Sequence, residues 1–212
     1  LASGTYTVRE KLETDWQQTA PIGGEHSGIL ISGGSVVMNK DFGNYKPVRR
    51  IRVNLTVHDN DVGTARDLSW GVRAGAAYGI WEVDPNATQV DAEEGESELP
   101  PSYPGYFDAR FVCPGRFPEL FGGGSWVDVR SFADTAQVDT FKILFQEGPS
   151  GYPMTLRWSK DVVSHAFEGN VTMIDAENNT YDMKGTDSIV ITNSSIRSVV
   201  IVAKKPALNL IF

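Results

Sequence analysis

The chain has 212 residues, 41% of them hydrophobic, and carries 27 acidic against 19 basic side chains for a formal net charge of −8. Phosphate backbones are held by basic surface, so this balance argues against a nucleic-acid partner, and the apolar content argues against a disordered chain. No apolar run is long enough to span a bilayer as a helix, and a single cysteine, Cys113, excludes an internal disulfide.

Short runs of β-branched and aromatic residues, punctuated by Gly, Pro, Asn and Asp, follow one another along almost the whole chain. That pattern predicts strands. Leu1-Ala2-Ser3-Gly4 is expected to be the start of a processed chain. Thr5–Glu10 reads as the first strand. Val8, Leu12 and Trp16 are spaced by four, which fits a short helix over Thr7–Gln18 as well as a strand followed by a turn. Gly28–Ile31 and Ser35–Met38 follow as strands. Val48–His58 has the cleanest period of two: Ile51, Val53, Leu55 and Val57 face a core, and Arg50, Arg52 and Asn54 face solvent. Further strands are predicted at Asp67–Arg73, Phe107–Val112, Trp126–Arg130, Val138–Gln146, Met154–Trp158, Asn170–Ile174, Ser188–Thr192, Arg197–Ala203 and Ala207–Phe212. Many short strands with turn signals between them predict an all-β fold, an antiparallel β-sandwich of one large or two stacked units. The acidic, then proline-rich stretch Asp84–Gly105 is expected to connect two β-units, residues 1–83 and 106–212.

Three patterns fall in and after that stretch. Asp84-Pro85-Asn86-Ala87-Thr88 leads to Asp91 and then Gly95-Glu96-Ser97-Glu98-Leu99-Pro100-Pro101. Gly105-Tyr106-Phe107-Asp108-Ala109-Arg110-Phe111 follows, and later Gly151-Tyr152-Pro153-Met154-Thr155-Leu156-Arg157-Trp158. With Ile191-Thr192-Asn193 and Ile196-Arg197-Ser198-Val199, residues 75–203 resemble a recurring segment of secreted proteins from Bacteroidota and Chlorobi/Ignavibacteria-type bacteria, found ahead of type IX secretion sorting domains. Ser194 stands where that pattern has proline. The resemblance implies export to the cell surface or beyond, a β-sandwich, and no established enzymatic activity.

The residues themselves carry few chemical constellations. His26, His58 and His165 have no metal-binding spacing, and no nucleophile elbow or phosphate-cradling glycine loop occurs. Cys113, in Phe-Val-Cys-Pro, reads as a small apolar residue. A non-catalytic protein is therefore expected. Calcium is the one cofactor with candidate ligands: Asp59, Asn60 and Asp61 put oxygens in a tight turn, with Asp67 beyond. The same pattern fits an ordinary solvated acidic turn. Trp16, Trp70, Trp81, Trp126, Trp158 and the tyrosines fit either a core or a sugar-stacking platform. The end, Ala207, Leu208, Leu210, Ile211 and Phe212, is apolar after Pro206, and Tyr6 and Val8 lie on the first strand. Either terminal strand fits closure of its own sheet or insertion into a neighbouring copy. The expected function is thus a secreted structural protein of the cell surface, a filament subunit joined by strand exchange, with a carbohydrate-binding or adhesive module as the alternative.

Overall fold

A computed structural model of the chain describes residues 1–12, 16–45, 50–61, 63–77, 80, 86–112, 123–131 and 138–205. The chain divides into two units, one within Leu1–Val48 and one within Arg49–Asn209.

The first unit holds β1 (Gly4–Arg9), β2 (Gln17–Ala20), β3 (Glu25–Ile31) and β4 (Gly43–Tyr45). They form two separate antiparallel ribbons, β1 with β3 and β2 with β4. Tyr6 faces Ile29 across the first ribbon, and the register slips before Val8 meets His26. Ile29 is the sole buried side chain among the described residues of this unit. Ser35–Met38, predicted as a strand, forms none, and no β-pairing joins it to another strand among the described residues. A Ser32–Ser35 turn, closed by Ser35 N–H donating to Ser32 O at 2.9 Å, precedes it, and Asn39 takes a positive φ of 58° after it. A β-branched run makes a strand only where another strand offers hydrogen bonds.

The second unit is the sandwich that the alternation predicts. One sheet orders β13 (Ser188–Ile191), β10 (Met154–Trp158), β5 (Arg50–His58), β6 (Ala65–Arg73) and β8 (Val127–Ser131). The other orders β12 (Thr180–Asp182), β11 (Glu168–Asp175), β14 (Ser198–Lys204), β9 (Val138–Gln146) and β7 (Asp108–Val112). All neighbours are antiparallel except β6 and β8. A helix, α2 (Lys160–Ala166), is started by Ser159, whose Oγ accepts from Val162 N–H. Val53, Leu55 and Val57 are fully inward, as the period of two requires, and meet Phe141, Ile143, Val199 and Ile201 from the other sheet. Trp70 stacks on Phe167 at 4.8 Å between centroids and lies 4.9 Å from Phe141. Each such aromatic, buried rather than exposed, stabilises by about 3 kcal/mol. Gly71 is required where β6 meets β5: a Cβ there would sit 1.9 Å from Ile51 O. The edges of the two sheets are tied where Phe111 and Ser125 exchange hydrogen bonds of 2.8 and 3.0 Å.

One boundary differs from expectation. The break between units falls at Val48/Arg49, and Asp84–Gly105 lies inside the sandwich unit rather than between two units. Its described part forms α1 (Gln89–Glu94) and then an extended stretch that buries Asp91, Glu94, Glu96 and Leu99. The acidic run carries no local sign of burial because its cationic partners are far away in sequence.

Candidate functional site

The acidic segment is the most concentrated chemistry among the described residues. Thr88 caps α1, and Asp91 closes the cap by accepting from Thr88 N–H and Oγ1–H and from Ala77 N–H. Gly95 ends the helix in the left-handed region at φ 86°, which a side chain would resist. One helical turn further on, Glu94 is driven against the sheet. Its carboxylate meets Arg50 at 2.8 Å, Arg52 at 3.1 Å and Arg73 at 2.7 Å. These arginines project from β5 and β6 on the face away from the core. That face is where the alternation placed Arg50 and Arg52, but there they meet Glu94 of α1 while staying partly in water. Arg73 also holds Glu93 at 2.7 Å, and its guanidinium is held above the ordinary arginine range by these two glutamates against the opposing effect of burial.

Beyond the helix the chain laces onto β8. Val129 N–H donates to Glu96 Oε1, Gly123 N–H donates to Glu98 Oε1, and Leu99 N–H donates to Gly124 O at 2.9 Å. Gly124 lies close against β7: a Cβ there would sit 2.4 Å from Phe111 O. On β8 itself Asp128 pairs with Arg130 at 2.7 Å, both side chains buried, and Arg130 lies 5.4 Å from the Phe141 ring centroid. Asp139 pairs with Lys205 at 3.2 Å, and Lys205 Nζ also donates to Ser131 O at 2.6 Å. Burial pushes the Glu96 carboxyl up to about 10, assisted by the negative charge of Asp128 and then of Asp91. Burial also raises Asp128, to about 6; Arg130 opposes this, and Asp139 and Asp91 add to it.

The residues predicted as calcium ligands lie at and beside the turn between β5 and β6. Asp59 is buried, and its two oxygens accept from Asp61 N–H at 2.9 Å and Gly148 N–H at 3.0 Å. Asn60 N–H donates to Gly151 O at 3.0 Å. Asp61 accepts from Gly63 N–H and Thr64 Oγ1–H, and these bonds hold its carboxyl below the ordinary aspartate value. Asp67 accepts from Thr56 Oγ1–H at 2.9 Å. The oxygens thus brace a β5–β6 turn and the Gly148 loop, and no three His, Cys, Asp or Glu side chains gather in a metal-binding group among the described residues.

Each histidine turns a ring nitrogen to a backbone carbonyl: His26 to Asp41 O, His58 to Asp59 O and His165 to Asp161 O. Cys113, Trp81 and the terminal run Ala207, Leu208, Leu210, Ile211 and Phe212 lie outside the described residues. Tyr6 and Val8, the other predicted assembly residues, sit on β1 and are paired with β3 of their own chain. Trp70 and Trp158 belong to the core, while Trp16 and Trp126 are partly exposed. Arg66 lies 5.9 Å from the Trp126 ring centroid.

Two of the tyrosines that fit a core or a sugar-stacking platform are at the surface. Tyr103 and Tyr106 stand 75% and 69% exposed on a turn whose carbonyls both accept from Gln146 Nε2, at 2.7 and 2.8 Å. The Tyr-Pro-Gly-Tyr sequence signals a turn, but the clamp comes from the end of β9, forty residues on. No helix among the described residues is long and apolar enough to cross a membrane. Comparison with models of known protein families, with curated proteins and with solved structures finds nothing that matches.

Proposed function

We propose that this chain is a secreted, non-catalytic structural protein of the cell surface that assembles with copies of itself, the sandwich serving as a rigid body and the first unit as the contact arm. One observation carries this reading. Leu1–Val48 exposes Ile22, Leu30, Val36 and Met38, each by more than two thirds, and buries only Ile29 among its described residues. Two-stranded ribbons are marginal in water, and large apolar side chains left exposed in one short unit favour that unit as the part that meets a partner. Ala207–Phe212 is the donor strand that the sequence offers for such a contact. Export rests on the resemblance of residues 75–203.

Light scattering across a concentration series, with negative-stain microscopy, tests the reading. The full chain is expected to form regular assemblies. A Leu30→Ser, Val36→Ser, Met38→Ser triple variant, or deletion of Ala207–Phe212, is expected to leave a folded monomer. A full chain that stays monomeric at every concentration, with and without added calcium, sinks the proposal.

A second reading has its own support. The clamped turn presents Tyr103 and Tyr106 outward with little freedom left to lose, which suits stacking on sugar rings. Polysaccharide pull-down by the full chain, lost in a Tyr103→Ala, Tyr106→Ala variant that still folds, would favour a carbohydrate-binding module.

A further inference from the structure

Lys205 and Asp139 occupy positions where strand alternation calls for apolar side chains. Along β14, Val199, Ile201 and Ala203 are buried in alternation, and Lys205 continues that phase just past the strand. Along β9, Asp139 is in phase with buried Phe141, Ile143 and Phe145. Ala203 faces Asp139 across the two strands, so Lys205 is the diagonal neighbour of Asp139 on the buried side. Their side chains are 6% and 8% exposed, and Lys205 Nζ stands 3.2 Å from Asp139 Oδ2. Nζ also donates to Ser131 O at 2.6 Å, which fixes the ammonium group from the side of β8.

An ion pair taken out of water carries a desolvation cost that its attraction does not reliably repay. A proton passing from Nζ to Oδ2 removes both charges and leaves an amine against a carboxylic acid. Asp128 of β8 favours that transfer. Burial raises the Asp128 carboxyl, Arg130 opposes this, and the charge of Asp139 adds to it. The two acids therefore sense each other, and a negative charge on both is disfavoured. The amine is then held against the acid in a site closed to water, and such positioning turns a condensation between two molecules into a reaction within one.

We propose that Lys205 and Asp139 form an intramolecular isopeptide bond, a covalent cross-link between β9 and the end of β14. The Nζ lone pair attacks Asp139 Cγ. A Nζ–Cγ bond forms and one Cγ–O bond breaks. That oxygen leaves as water, carrying the proton first passed to the carboxyl and one further proton from the nitrogen. Nothing is oxidised or reduced, so no co-reactant is needed. The amide N–H that remains keeps Ser131 O as its acceptor. The reaction happens once per chain and does not depend on self-assembly. The link closes the chain between residues 139 and 205 into a loop, which restricts the unfolded state as a disulfide would. Cys113, the single cysteine, cannot supply such a staple within the chain.

Intact-mass spectrometry of the folded full chain gives the first test. The mass is expected to fall short of the sequence mass by one water. A protease digest is expected to yield one branched peptide that joins the Asp139 segment to the Lys205 segment. A full chain at its sequence mass overturns the proposal, and this arm needs no variant to fold. Lys205→Arg provides the second. It keeps the positive charge opposite Asp139 but has no amine to form the amide. The missing water is expected to return, and the denatured variant is expected to run more slowly than the cross-linked parent on a denaturing gel. A Lys205→Arg chain that still lacks one water, or a digest that maps the loss to other residues, also overturns it.

Discussion

The two units use the same strand chemistry with opposite results. In the sandwich, the inward residues of β5 meet a second sheet, and Val53, Leu55 and Val57 vanish from solvent. In the first unit, β3 buries Ile29 and leaves Leu30 71% exposed, and the described strands form two separate two-stranded ribbons. Alternation therefore specifies which face of a strand is apolar. Whether that face is buried depends on a partner layer, which the sandwich supplies from its own chain.

The sharpest way to break the comparison is to cut into each core. Trp70→Ala removes a fully buried ring stacked on Phe167 and is expected to cost about 3–5 kcal/mol, enough to unfold a large fraction of the sandwich. Ile29→Ala in the first unit is expected to cost clearly less, because Ile29, though buried, joins neither cluster of buried apolar side chains among the described residues. Urea unfolding of both variants measures the contrast. Equal losses would mean that the first unit has a core of its own in solution.

Next in size is Glu94→Gln. The carboxylate is buried, and it pairs with three guanidiniums, of which Arg50 and Arg52 keep 48% and 31% of their side chains in water. Removing one partner of a buried pair costs several kcal/mol, and the solvent on two of the arginines discounts this to about 2 kcal/mol. The loss should shrink in high salt. A salt-independent loss would assign Glu94 a packing role instead.

That ion-pair cluster also marks the limit of what the sequence makes legible. Period-two alternation is local, so it locates β5, β6, β9 and β14 almost to the residue. Glu94 meets Arg73 and Arg52 across 21 and 42 residues, and Glu96 meets Val129 N–H across 33. Nothing near Asp91–Glu98 distinguishes acids that face arginines from acids that face water, and so the segment read as a linker. The strands β2, β4 and β12 escaped for another reason: each has three or four residues, too few to alternate. The Asp59–Asp61 turn was found, but its oxygens point to backbone N–H groups that sequence does not reveal.

The smallest effect is expected at the Tyr103–Tyr106 turn, and it separates folding from binding most cleanly. Gln146→Ala removes two hydrogen bonds, but both carbonyls sit at the surface and turn to water. The net cost is therefore about 1 kcal/mol or less, against the several expected at Trp70. The consequence for recognition is larger than for stability. Without the clamp the tyrosines must be ordered by the ligand, and each immobilised side chain then takes about 0.5–1.5 kcal/mol from the affinity. If the turn binds glycan, Gln146→Ala should weaken binding several-fold while the unfolding curve barely moves, and Tyr103→Ala should abolish it. If assembly through the first unit is the whole function, neither substitution will alter the light-scattering mass, whereas the Leu30, Val36 and Met38 triple variant will. The same two measurements on the same variants thus assign the aromatic turn and the apolar arm to separate roles.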